Sequence, residues 1–139
     1  MDNILNIDKL SAEQSQNMVS GGKLDNLERL VTKALGVLQE HGVYAMMLFL
    51  LSRTGDEAKI APIICKQLYS SLPKVKAKFP EFLKDIVIPD ENTEKARVLA
   101  FYSSNEVMGD TNTLFLIRDL YEQTLIYARY GAKALKKEG

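Results

Sequence analysis

Nine apolar residues stand in an unbroken row from Val43 to Leu51, VYAMMLFLL, and no other feature limits so tightly what this chain can become. The row is too short to cross a bilayer, which takes about 20 residues of helix. It has no polar face to offer water, so it predicts a helix buried on most sides inside a protein core. A chain of 139 residues is long enough to supply such a core within one domain.

The flanking segments carry helical periodicity. Leu24, Leu27, Val31, Ala34, Leu35 and Leu38 step by three and four, which is one face of a helix, with Asp25 as its candidate cap. Gly42 either ends that helix or permits a close approach. Asp56 is placed to cap a further helix running to about Leu72, with Pro62 as an awkward residue inside it. Pro73 opens PKVKAKFPEFLKDIVIP, which is expected to form two short helical pieces split at Pro80, although VKAKF alternates as a strand would. IPDENT (Ile88 to Thr93) and MGDTNT (Met108 to Thr113) read as loops, with Thr93 and either Asp110 or Thr111 as caps. The last helix, about 112–136, carries Leu114, Ile117, Tyr121, Leu125, Ala128, Ala132 and Leu135 on its main seam. Phe115, Leu116, Leu120 and Ile126 lie off that seam, so the helix is either central in the bundle or shared with a second chain. The expected fold is all-α: one compact bundle of about five to seven helices with a long C-terminal helix. Residues 1–22 are expected to be a mobile N-terminal arm, in which SAEQ (Ser11 to Gln14) has capping-box spacing and Gly21-Gly22 breaks the chain. Residues 23–139 are expected to be a single helical domain.

Charge and cysteine usage exclude several function classes. Lysine plus arginine equal aspartate plus glutamate, 18 each, so nothing draws the whole molecule toward nucleic acid and any such contact needs a local patch. The single cysteine, Cys65, leaves no disulfide framework and fits a reducing, cytoplasmic setting. No basic flank followed by an apolar stretch marks the N-terminus as a targeting segment. His41 has no neighbour at catalytic or metal-ligating spacing, and a histidine there is expected to cap the last carbonyls of its helix. Cys65 reads as a buried structural thiol. No phosphate-binding glycine motif is present. No catalytic residue, metal, cofactor, membrane or small-molecule substrate is expected.

Two basic clusters remain. The first is Lys74, Lys76 and Lys78. The second lies on the last helix, where Arg129, Lys133, Lys136 and Lys137 share one side and Arg118 sits about three turns earlier. Tyr127 and Tyr130 are interleaved with it, as stacking on bases requires. The competing explanation is a solvated face, since lysines near a helix C-terminus are favoured by the dipole alone.

LERLVTKALGVLQEHGVYAMMLFLLSR (Leu27 to Arg53) resembles the small helical subunit of the type III-B CRISPR effector, the fifth member of the Cmr complex. The shared features are the polar-Gly-apolar step at His41-Gly42-Val43 and the apolar helix through Met47-Leu48-Phe49-Leu50 to Arg53. The closing helix, Leu114 to Lys137, is similar as well, with Tyr127, Arg129, Ala132, Lys133, Ala134 and Leu135 in the family's order of aromatic, basic and small residues. The small subunits of type III-A and type I-A effectors are rival resemblances. The resemblance covers about half the chain and implies a non-catalytic scaffold. Its partners are then copies of itself, stacked head to tail, the other effector subunits, and the guide/target RNA backbone. No family motif assigns the RNA contacts, so the two basic clusters are their candidates: Lys74, Lys76, Lys78, Arg118, Arg129, Lys133, Lys136 and Lys137. The alternative is a helical protein-interaction or regulatory module that never meets nucleic acid. A small enzyme built on His41 and acidic partners is a third possibility.

Overall fold

Gly42 sets the geometry of the first half of the chain. In the computed structural model, which describes residues 5–21 and 23–138 (side chains of 137 and 138 excepted), Gly42 is the single residue between α2 (Leu24–His41) and α3 (Val43–Leu51). Its φ of 94° and ψ of −176° fall in a region that essentially only glycine occupies. Its N–H donates to the Leu38 carbonyl at 2.9 Å, closing α2. The chain thereby reverses and α3 packs back on α2.

The apolar row is a helix, but only one stripe of it is fully buried. Val43, Met46, Met47 and Leu50, spaced i, i+3, i+4 and i+7, enter the core. Tyr44, Phe49 and Leu51 are half-buried and Leu48 is 45% exposed. The expectation of burial on most sides is therefore corrected. The row makes a core stripe and also leaves apolar surface outside.

The remaining elements are α1 (Ile7–Val19), α4 (Glu57–Lys78), α5 (Lys95–Tyr102) and α6 (Thr111–Glu138). The described residues form six helices and no strand, and none of these helices is long and apolar enough to cross a membrane. The predicted all-α bundle with a long C-terminal helix is the fold observed. The 28-residue α6 lies antiparallel to α2: Arg118 donates to the Gln39 carbonyl near one end, and Lys136 meets Asp25 and Glu28 near the other. Its seam buries Ile117, Leu120, Tyr121, Leu125, Ala128 and Ala132. Asp110 caps α6, accepting from the Thr113 N–H at 3.0 Å. Glu94, not Thr93, precedes α5, because Thr93 turns back to bond Asp90.

Residues 7–19 are not part of a mobile arm. Asn6 caps α1 by accepting from the Lys9 N–H, and Leu10, Met18 and Val19 join the core. Ser11, expected as the cap, lies inside the helix. The segment looked too polar to pack because its buried side includes Gln14, which is fully enclosed and fully used. The Gln14 amide nitrogen donates to the Gln67 carbonyl at 2.8 Å and to the Ser70 hydroxyl at 3.1 Å, and its oxygen accepts from Lys74. A buried amide satisfied in this way is tolerated where a bare one is costly. Residues 1–4 and 22 of the expected arm lie outside the described residues.

The segment after Pro73 also departs from expectation. α4 continues through both Pro62 and Pro73, and residues 79–93 form turns and irregular chain rather than a second helical piece. The two prolines are eleven residues apart, close to three turns, and both are exposed. The carbonyls they leave unbonded, at Ala58 and Tyr69, therefore sit on the solvent side, where water can satisfy them.

Two buried tyrosines link α5 to α6. The hydroxyls of Tyr102 and Tyr121 are 2.6 Å apart, and burial raises the pKa of each, keeping both neutral. Tyr121→Phe strands the Tyr102 hydroxyl and is expected to cost about 1–3 kcal/mol in urea unfolding, with the double Phe variant losing less than the sum of the singles. Gly42→Ala meets no steric neighbour. Its expected loss of about 1–3 kcal/mol, read in the same assay, comes from the backbone alone.

Candidate nucleic-acid interface

The helical conformation of residues 74–78 divides the first basic cluster. Strand-like alternation would have put Lys74, Lys76 and Lys78 on one side. On α4, Lys74 and Lys78 share a side and Lys76 points elsewhere. Lys74 and Lys78 line an open groove of about 360 Å³ between α1 and the end of α4, together with Lys9 and Glu13. The Lys74 ammonium donates to the Gln14 side-chain oxygen. Lys76 donates instead to the Leu83 carbonyl at 3.2 Å. Leu83 is buried with a φ of 54°, so Lys76 fixes a turn of the connection rather than facing the groove.

The second cluster is gathered against α2. Lys136 bridges Asp25 at 2.8 Å and Glu28 at 2.6 Å, and Lys133 lies 3.9 Å from Glu28. The Lys136 hydrogen bonds hold both carboxyls below their usual range, and the same two bonds raise the pKa of Lys136. Arg118 is bound to the Gln39 carbonyl at 3.1 Å. Arg129 has its Nε buried without a hydrogen-bond partner, while its guanidinium carbon is 6.0 Å from the Tyr130 ring. Lys133 stands at the same 6.0 Å from that ring, which is 62% exposed. Tyr127, expected to accompany Tyr130 as a stacking face, instead hydrogen-bonds Asp8 of α1 and Gln123. The side chain of Lys137 lies outside the described residues.

Sequence reasoning missed the cations that other helices bring to these clusters. Arg29 and Lys33 of α2, one turn apart, line a groove of about 390 Å³ with Asp25, Glu28, Arg129 and Lys136. Lys9 of α1 joins Lys74 and Lys78. The i, i+4 spacing of Arg29 and Lys33 on the polar side of an amphipathic helix was the available signal. Lys33 is also paired with Glu57 at 2.8 Å.

His41 does not cap α2. Its side chain is 67% exposed with Nε2 3.8 Å from Glu40, while the Leu38 carbonyl accepts from the Gly42 N–H and the Gln39 carbonyl from Arg118. Cys65 is buried, and desolvation pushes its thiol up to about 12, which keeps it protonated and inert. Among the described residues no three of His, Cys, Asp and Glu gather as a metal site. No family model matches the chain, and no curated protein or solved structure is significantly similar to it.

The ion pairs at the α2–α6 junction predict a pH signature. Asp25 and Glu28 titrate lower in the folded chain than in the unfolded one, so their contribution is complete above the ordinary carboxylate range. It drains away as pH falls through their folded values. Lys136→Met is expected to lower stability at neutral pH and to flatten the acid limb of a stability–pH curve measured by urea unfolding. High salt should narrow the gap between the two proteins.

Proposed function

We propose that this chain is a non-catalytic small subunit of a multi-subunit, RNA-guided CRISPR effector. Copies of it stack head to tail, and its cationic grooves touch the RNA backbone. The effector assignment follows from the resemblance at Leu27 to Arg53 and Leu114 to Lys137. One observation carries the scaffold reading: α6 leaves apolar side chains exposed near both of its ends. Phe115 is 57% exposed near the start, and Tyr130 and Leu135 are 62% and 42% exposed near the close. Fifteen residues separate Phe115 from Tyr130, about 22 Å of helix rise. Two distant sticky spots on one rigid rod suit heterologous contacts, which build rows rather than closed pairs.

The RNA reading rests on Tyr130 and its two cations. An exposed ring with Arg129 and Lys133 both 6.0 Å from its centroid offers a base a stacking surface and the adjoining phosphate a positive field. Binding of this kind is indifferent to sequence, which pairing with a guide would supply. The alternative, a protein-interaction module without RNA, draws support from the cations already engaged inside the fold: Lys74, Lys76, Arg118 and Lys136.

Titration of single-stranded RNA at two salt concentrations tests the choice. Binding is expected to weaken steeply with salt. Tyr130→Ala with Lys133→Ala should cut affinity roughly tenfold and lower the salt slope by about 0.7, the share of one phosphate neutralised by one lysine. Lys76→Ala, held by Leu83, should bind as the parent does. RNA affinity untouched by the first pair and reduced by the last would overturn the assigned surface, and no affinity even with partner subunits present would favour the interaction module.

A further inference from the structure

A cavity of about 170 Å³ opens between the end of α3, the first turns of α4 and the start of α5. Leu50, Leu51, Ala61, Pro62 and Val98 make its apolar wall, with Cys65 and Tyr69 deeper along α4. That volume admits a single benzene-sized group. Three charges stand at its mouth. Glu91 is paired with Lys66 at 3.3 Å, and Arg53 with Glu57 at 3.5 Å. Lys95 donates to the Leu51 carbonyl at 3.0 Å and forms no ion pair among the described residues. The mouth thus offers an apolar hole beside one cation that lacks a carboxylate.

The chain carries the matching shape on a different element. Phe115 projects from the second turn of α6, 57% exposed. Asp119, one turn further on the same side, is exposed and makes no ion pair among the described residues. The adjoining cation, Arg118, is bound to the Gln39 carbonyl. α6 contributes no residue to the cavity, so the knob and the hole belong to separate surfaces of one molecule. The other exposed aromatic of α6, Tyr130, is flanked by Arg129 and Lys133, which would face Lys95 with like charge.

We infer that Phe115 of one copy seats in the cavity beside Lys95 of the next, with Asp119 pairing to that lysine. This deepens the stacking reading above and rests on it. The contact is heterologous: each molecule gives a knob at one surface and a hole at another, and each added copy presents the same free hole again. A buried aromatic anchor with an adjacent charge pair is the arrangement that concentrates binding energy in few residues.

Sedimentation of the full chain from micromolar to millimolar concentration tests the pairing. Phe115→Ser is expected to weaken self-association roughly tenfold or more. Asp119→Lys and Lys95→Asp should each weaken it, and the double variant carrying both should recover most of the loss. All three positions are checked by thermal melting, and the recovery in the double variant separates a broken interface from a broken fold. Self-association at the parental strength in Phe115→Ser, or a double variant no better than the singles, overturns the knob-in-hole contact while leaving stacking through another surface. A parent chain that stays monomeric to millimolar concentration overturns both.

Discussion

The antiparallel pairing of α2 with α6 is the constraint on which the other elements depend. It is fixed along its middle by apolar packing and near its two ends by polar links of different kinds. At one end Arg118 reaches a main-chain carbonyl near the close of α2, where the helix dipole favours a cation. At the other, Lys136 joins two carboxylates in the first turns of α2, where the dipole favours anions. With the pair in register, α1 can seat along α6 through Asp8 and Val19, and α3 can fold back on α2 past Gly42.

That pairing also changes how the cationic stripe of α6 should be understood. Lys136 belongs to the stripe in sequence, yet its charge is balanced inside the molecule. Lys133 lies only 3.9 Å from Glu28 and Lys33 of α2 is paired with Glu57. The cations of these grooves that form no ion pair among the described residues therefore include Arg29 of α2, Arg129 of α6 and Lys9 of α1. A chain of zero net charge can thus present two small positive grooves, each built across a helix–helix seam rather than along one helix. Grooves of this construction exist only while the helices that form them remain docked.

The sequence made the helices legible where apolar spacing was strong. Leu27, Val31, Ala34, Leu35 and Leu38 are buried as their spacing requires, and Gly42 ends α2. It misled where burial was polar or where proline stood on a solvent face. Gln14 is enclosed because α4 supplies partners 53 to 60 residues away, and no local pattern reveals such partners. Pro73 does not stop α4, because the bond it forfeits faces water. The basic clusters were visible as residue types, but their sorting was not. Lys76 and Lys78 are near neighbours in the chain yet lie about half a turn apart around the helix. Lys136 finds Asp25 from the opposite end of the sequence.

α1 and α6, far apart in the sequence, are also closely bound to each other. Asp8 of α1 meets Gln123 and Tyr127 of α6, and Glu28 of α2 meets Lys136, contacts that span 108 to 119 positions. α3 and α4 cover part of α1 and α2, and the surface left over is covered only when α6 docks. The bundle is therefore complete only once residues more than a hundred positions apart have met. Removing α6 would bare the long sides of α1 and α2 that it covers, while their contacts with α3 and α4 remained.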